Sequence, residues 1–397
     1  MSKNIVILFD GTSNEISTDR TNILRLFGIL RRSEEQVVYY DPGVGTFGAD
    51  DSWSPLWHNT VELWGLATGW GLDQNVKEAY RFLVENYDAG PLVDGHHRDR
   101  DRIYIFGFSR GAYTARVLAG FIHAFGLTSK YNINLIDYAY RTYKSIPSGS
   151  IAVAGVDGKS PFSDMRLYEK ALRNDRPPIK LLGLFDTVAS LIELGHGRLQ
   201  MKTHTFTHRN PSVEWVRHAL AIDERRTMFR PEPWTPDQDY HGNPFAPAQG
   251  KQNFKEVWFS GVHGDVGGGY AEMESAQIKI PLDWMIRETE PTGLLYRHTV
   301  VNRIVLGKDP KNIKYASLSP TAPLHNSMNA AWQLLEWVPR KIPPTSSRRG
   351  GASGVYIPRS DPRLIPTGAS LHESVRTRLS VGDYHPPNLP AEPHFVP

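Results

Sequence analysis

The sequence predicts an α/β protein with a mostly parallel sheet flanked by helices. Three observations predict it: short continuous apolar runs that end in Gly- or Asp-containing turns, intervening segments with apolar residues at helical spacing, and regular alternation of the two. The first run, Ile5-Val6-Ile7-Leu8-Phe9, closes on Asp10-Gly11-Thr12 and reads as a buried strand ending in a tight loop. Ile23, Leu24, Leu26, Phe27 and Leu30 then recur at helical spacing. Residues 36–40 are β-branched and aromatic and end in the turn Asp41-Pro42-Gly43, giving a second strand. Val76, Ala79, Tyr80, Leu83, Val84 and Tyr87 predict an amphipathic helix, residues 103–106 a strand, and residues 112–125 a helix with Ala115, Leu118, Ala119 and Ile122 on one face. Further strands are expected at 179–185 and 257–262.

At 397 residues the chain could hold one large domain or two, since a domain takes roughly 150 residues. No internal repeat divides it. We expect one elaborated α/β domain over 1–284, with lid-type insertions at about 43–71, 128–178 and 187–256, and a C-terminal extension, 285–397, packing on the same domain. Eleven of the 29 prolines fall in the last 60 residues, so that extension should wrap the surface rather than build its own core.

Composition narrows the chemistry. No cysteine is present, which excludes disulfides, thiol catalysis and Cys-ligated metal sites. The pair His96-His97 stands in a polar connection without partner ligands at metal-site spacing, so neither a metal nor a cofactor is expected. A net charge of +3, without a long basic block, gives no support to nucleic-acid binding. No apolar stretch reaches the roughly 18 residues of a membrane span, and the N-terminal run ends too early in Asp10-Gly11 for a signal sequence. Cytoplasmic residence is the default expectation, signal-less export stays open, and the oligomeric state is not specified.

Gly107-Phe108-Ser109-Arg110-Gly111 fits G-x-S-x-G and sits between an expected strand and an expected helix, the strand-to-helix elbow of an α/β-hydrolase-like fold. Gly107 and Gly111 would admit the close backbone approach of that turn. A serine hydroxyl needs a histidine base, and the imidazole needs a carboxylate to hold its tautomer. In this fold the order is Ser, Asp or Glu, then His, each after a strand. Asp186 directly follows the 179–185 run and His263 the 257–262 run, so Ser109, Asp186 and His263 are the expected triad. His372 is the rival base but lacks a clear preceding strand, and Asp186 could instead cap the segment that follows it. Asp265 could orient His263 but is better placed to fix the glycine loop; Asp10 is a further supporting candidate. The oxyanion donors should be the Arg110 N–H and that of Thr12, with Gly11 as the alternative. An aspartyl-phosphate reading of the N-terminus fails because Leu8 stands at the nucleophile position, and neither the glycines after His263 nor Ser13-Asn14 supply a phosphate-binding Lys-Ser/Thr pair.

Several longer motifs accompany these residues: Phe9-Asp10-Gly11-Thr12-Ser13-Asn14, Gly43-Val44-Gly45-Thr46, Gly107 to Arg116, Phe185-Asp186-Thr187-Val188, His218 to Arg226, and the loop from His263 to Tyr270. In this order they resemble the DUF2235 family of α/β-hydrolases, which is similar to the catalytic domain of Tle1-type type VI secretion phospholipase effectors. The resemblance runs to about Trp284. It implies a Ser-Asp-His hydrolase acting on carboxylic esters, with phospholipid or another lipid as substrate and transient membrane-surface contact. A short-chain esterase or thioesterase, and a non-catalytic module on the hydrolase fold, are the alternatives. Trp53, Trp57, Trp64 and Trp70 would suit an acyl chain or a lipid boundary, or would simply pack their excursion onto the domain.

Overall fold

The computed structural model describes residues 2–11, 20–43, 69–94, 96–146, 168, 171–172, 174–188, 192–195, 198–201, 204–308, 314–341 and 355–397. Its centre is an eight-stranded sheet: β1 (Asn4–Phe9), β2 (Gln36–Asp41), β3 (Arg102–Phe108), β4 (Ile179–Phe185), β5 (Val213–Ala221), β6 (Asn253–Phe259), β7 (Ser370–His372) and β8 (His394–Val396). The spatial order is β8-β7-β6-β5-β4-β3-β1-β2, and every neighbouring pair is parallel. With helices on both faces, this is an α/β-hydrolase-like fold. The helices, in chain order, are α1 (Asn22–Ile29), α2 (Gly69–Asn86), α3 (Arg110–Phe125), α4 (Ile136–Ser145), α5 (His263–Gly267), α6 (Lys279–Thr289), α7 (His298–Ile304), α8 (Ala330–Leu335) and α9 (Glu373–Ser380).

Continuous apolar strands arise because both faces are covered. In β1, Ile5, Ile7 and Phe9 join one core with α2, α3 and α4, while Val6 and Leu8 join the opposite core with α1 and α6. The two-residue period of the strand sends successive side chains to opposite layers, and all six β1 residues are buried. Each of its five apolar side chains, Ile5 to Phe9, contributes about 1.5–3 kcal/mol when removed from water.

Three expectations are corrected here. The segment 187–256 is not wholly an insertion, because it contains β5, a strand between β4 and β6 in the sheet. Its pattern is masked by Arg217, which bonds Glu288 and Asn253, and by His218, which pairs with Glu256. The C-terminal segment does more than wrap the surface. It adds β7 and β8 to the sheet edge and builds a small core of Ile365, Leu371 and Val375 on Leu220, Ile222 and Trp258. A few apolar positions per strand suffice there because β6 already presents a register to pair with. Strand β6 also begins earlier than expected and ends at Phe259, its first half alternating in exposure rather than being uniformly apolar. The Trp53, Trp57 and Trp64 segment lies outside the described residues.

Candidate active site

The parallel register aligns the C-terminal ends of β3, β4, β5 and β6, and the chain leaves each of them by a tight turn. At β3, Ser109 caps α3 with φ 57° and ψ −122°, a conformation that non-glycine residues rarely adopt. The turn is held by Ser109 N–H donating to Phe185 O at 3.0 Å and by Val188 N–H donating to Ser109 O at 3.5 Å, which tie the elbow to the loop after β4. The glycines are steric requirements. A Cβ on Gly107 would lie 2.3 Å from Gly111 O, and one on Gly111 would lie 2.3 Å from Asp10 O and 2.4 Å from Phe9 O. Backbone atoms cannot swing aside, so Gly111→Ala is expected to cost about 1–3 kcal/mol, read as a lower urea midpoint at unchanged slope; a midpoint equal to wild type would show that the close approach is not needed.

Asp186 follows β4, again with positive φ (40°), and is completely buried. Its Oδ2 lies 2.5 Å from His263 Nδ1. His263 is the first residue of α5, and its ring packs between Phe108 at 4.7 Å and Phe229 at 5.0 Å. Phe108 is the residue before Ser109, and Gly267 permits its ring to approach, since a Cβ there would fall 1.8 Å from it. Among the described residues no hydrogen bond joins Ser109 Oγ to the His263 ring. Such bonds commonly tighten only when substrate is in place.

Electrostatics favour the base form of the pair. Burial would raise the Asp186 carboxyl, but the Arg363 charge and the His263 hydrogen bond and charge outweigh it and hold the acid well below the ordinary range. Burial pushes the His263 imidazole down, against the opposing pull of Asp186. At neutral pH the arrangement is a carboxylate facing a neutral imidazole whose Nδ1–H it accepts.

The remaining residues sort by contact. Asp265 does not meet the His263 ring: its Oδ2 accepts from Val262 N–H at 2.9 Å, and its Oδ1 lies 2.6 Å from Nδ1 of His325, which is stacked on Tyr270. It therefore fixes the glycine loop. His372 does end a strand, β7, contrary to expectation, yet its ring is stacked on Phe259 and its Nδ1 accepts from Ser374 N–H at the start of α9. Burial lowers its pKa to about 4. Asp10 organises the loop after β1, its Oδ1 accepting from Gly11 N–H at 2.7 Å and its Oδ2 from Thr21 Oγ1 and Tyr40. That bond engages the Gly11 N–H. Thr12 lies outside the described residues. Arg110 is the first residue of α3, at the helix end whose dipole favours negative charge.

Three residues were not anticipated. Glu224 Oε2 accepts from His263 N–H at 3.2 Å and pairs with Arg226, so it holds His263 through its backbone. Arg363 donates to both oxygens of Asp186. His218 Nε2 accepts from Thr187 N–H at 3.3 Å, fixing the residue after the acid. Glu224 lay within a quoted motif; nothing in the local sequence marks Arg363. Beside the pair, Val188, Phe229 and Trp332 form a buried apolar cluster with Met228, Met328 and Leu335 against it. Among the described residues no group of His, Asp or Glu is arranged to hold a metal, and no helix is long and apolar enough to cross a membrane.

Comparison with known proteins gives this geometry a family. The chain is 35% identical over 248 residues to the uncharacterized protein YEL023C of Saccharomyces cerevisiae (strain ATCC 204508 / S288c), covering 59% of this chain and 33% of that protein. Among solved structures it is similar to an uncharacterized protein from Pseudomonas aeruginosa, with TM-score 0.45 and 20% identity over 81% of this chain and 49% of that one. It is also similar to a Tle1 effector bound to the VgrG spike of the type VI secretion system, with TM-score 0.36 and 19% identity over 70% and 52% of the two chains. This chain thus spans between a third and about half the length of these relatives. A family model described as the catalytic domain of Tle1-like type VI secretion phospholipase effectors matches residues 3–288. The chain belongs to that family of Tle1-like effector catalytic domains.

Proposed function

We propose that the chain is a serine hydrolase that cleaves carboxylic ester bonds of lipid-like substrates through an acyl-enzyme on Ser109. The observation that carries this reading is the buried Asp186–His263 pair, 2.5 Å apart, on the sheet edge where the strained Ser109 elbow also stands. In this mechanism Ser109 Oγ attacks the ester carbonyl carbon and gives its proton to His263 Nε2. Asp186 accepts the Nδ1–H and stabilises the imidazolium. The carbonyl oxygen, now negative, is met by the Arg110 N–H and the N-terminus of α3, with Thr12 as the proposed second donor. As the carbonyl re-forms, the alkoxide leaves and takes the proton from His263. Water, deprotonated by the same imidazole, then attacks the acyl-serine carbonyl; the Oγ–acyl bond breaks, Ser109 Oγ takes the proton back from His263, and the carboxylic acid is released.

The lipid part of the proposal rests on the family, with the apolar cluster of Val188, Phe229 and Trp332 beside His263, covered on one side by the Arg226 guanidinium over the Phe229 and Trp332 rings, as the nearest apolar surroundings for an acyl chain. Transient contact with a membrane surface follows for a substrate held in a bilayer. The test is hydrolysis of p-nitrophenyl esters from acetate to palmitate, beside phospholipid vesicles. Turnover that rises with acyl length and releases fatty acid from vesicles is expected. Turnover confined to acetate would make it a short-chain esterase, and silence on every substrate would favour a non-catalytic module.

A further inference from the structure

Besides the His263 imidazole, the Asp186 carboxylate has a second side-chain partner, Arg363. Arg363 Nη1 donates to Oδ1 at 2.5 Å and Nη2 to Oδ2 at 2.8 Å, a two-pronged contact on a carboxylate with no solvent exposure. The same oxygens take Ala221 N–H at 3.0 Å and His263 Nδ1 at 2.5 Å. The guanidinium is anchored by donating to Ala221 O and Phe229 O, the latter belonging to the residue whose ring packs on His263. Arg363 stands beyond the residues matched by the family model, in the C-terminal segment that carries β7 and β8. The extension therefore supplies a charge to the centre of a domain that does not itself contain it.

Resting on the serine-hydrolase reading above, we infer that Arg363 is a positioning residue for the reaction, fixing the Asp186 carboxylate and setting the pH below which His263 can no longer accept the serine proton. A planar fork matches a carboxylate in one orientation, so the oxygen offered to Nδ1 stays aimed at it. The charge acts separately. The groups facing the imidazole are Asp186 from the end of β4, Glu224 and Arg226 from the loop after β5, and, across Asp186, Arg363; His218 on β5 faces the acid from its other side. Removing the Arg363 charge leaves more of the carboxylate's field to stabilise the imidazolium. The imidazole then keeps its proton to higher pH, and the acid limb of the activity profile moves upward.

The experiment is the pH dependence of Ser109 phosphonylation by a fluorophosphonate probe, followed in the full chain for wild type, Arg363→Gln and Arg363→Lys, with folding checked by circular dichroism. Gln is expected to move the acid limb up by about one pH unit, and Lys to hold it near the wild-type position while the plateau rate falls by up to about tenfold because the fork is lost. A purely structural role would lower the plateau in both and leave the limb in place, so a folded Gln variant with an unmoved limb overturns the inference. Should Gln fail to fold, Lys decides: a limb held with a lowered plateau supports the inference, and a limb displaced by a full unit, despite the retained charge, contradicts it. Wild type that the probe does not label at Ser109 would instead remove the serine reading beneath it, an outcome distinguishable because no limb would exist to measure.

Discussion

Ser109→Ala is expected to reduce kcat/KM for ester hydrolysis by about 10⁴-fold or more while leaving stability within about 1 kcal/mol of wild type. The two halves of this expectation have separate causes. Activity falls because the attacking oxygen is gone and the Asp186–His263 pair has no proton to take. Stability holds because the strain at φ 57° belongs to any residue with a Cβ, and Ala carries the same Cβ as Ser. The Ser109 backbone bonds to Phe185 and from Val188 and Tyr113 do not involve the hydroxyl. Steady-state kinetics and urea melts on the two proteins check both halves. Activity within tenfold of wild type would mean that another group carries the chemistry.

Asp186→Asn should be nearly as damaging to turnover, by about 10³- to 10⁴-fold, and should also cost stability. The amide can donate to His263 Nδ1, which selects the tautomer whose Nε2 carries the proton and cannot accept another. The stability loss comes from Arg363, whose guanidinium would lose its charged partner inside the protein, at a cost of about 3–5 kcal/mol. The two effects separate in a double variant. Adding Arg363→Met to Asp186→Asn is expected to recover part of the lost stability, because the buried charge is removed, and none of the lost rate. Thermal melts and kinetics on the single and double variants measure this; a double variant no more stable than Asp186→Asn would show that the pair is not coupled.

How far the sequence discloses this molecule follows from the range of the interactions. The β1, β3 and β4 runs are legible because strands covered on both faces must be apolar at successive positions, a local property. The residues Ser109, Asp186 and His263 are placed by strand ends, and strand ends are local too. Strand β5 is hidden because it carries Arg217 and His218, whose partners Glu288 and Glu256 become visible only in three dimensions. Strands β7 and β8 have three residues each, too few to show a period. Arg363 is separated from Asp186 by 177 positions and sits in a proline-containing stretch that reads as surface wrapping. His325 is likewise joined to Asp265 across 60 positions, which is why the role of Asp265 in its own loop was partly legible and its partner was not.

The central claim is covalent, and peptide-mapping mass spectrometry of protein quenched with acid during ester turnover tests it most directly. The account predicts an acyl adduct on the peptide containing Ser109, of the mass set by the ester supplied, and its absence from the Ser109→Ala protein. Sustained wild-type turnover with no adduct on that peptide, or with the acyl group on a different residue, would contradict it.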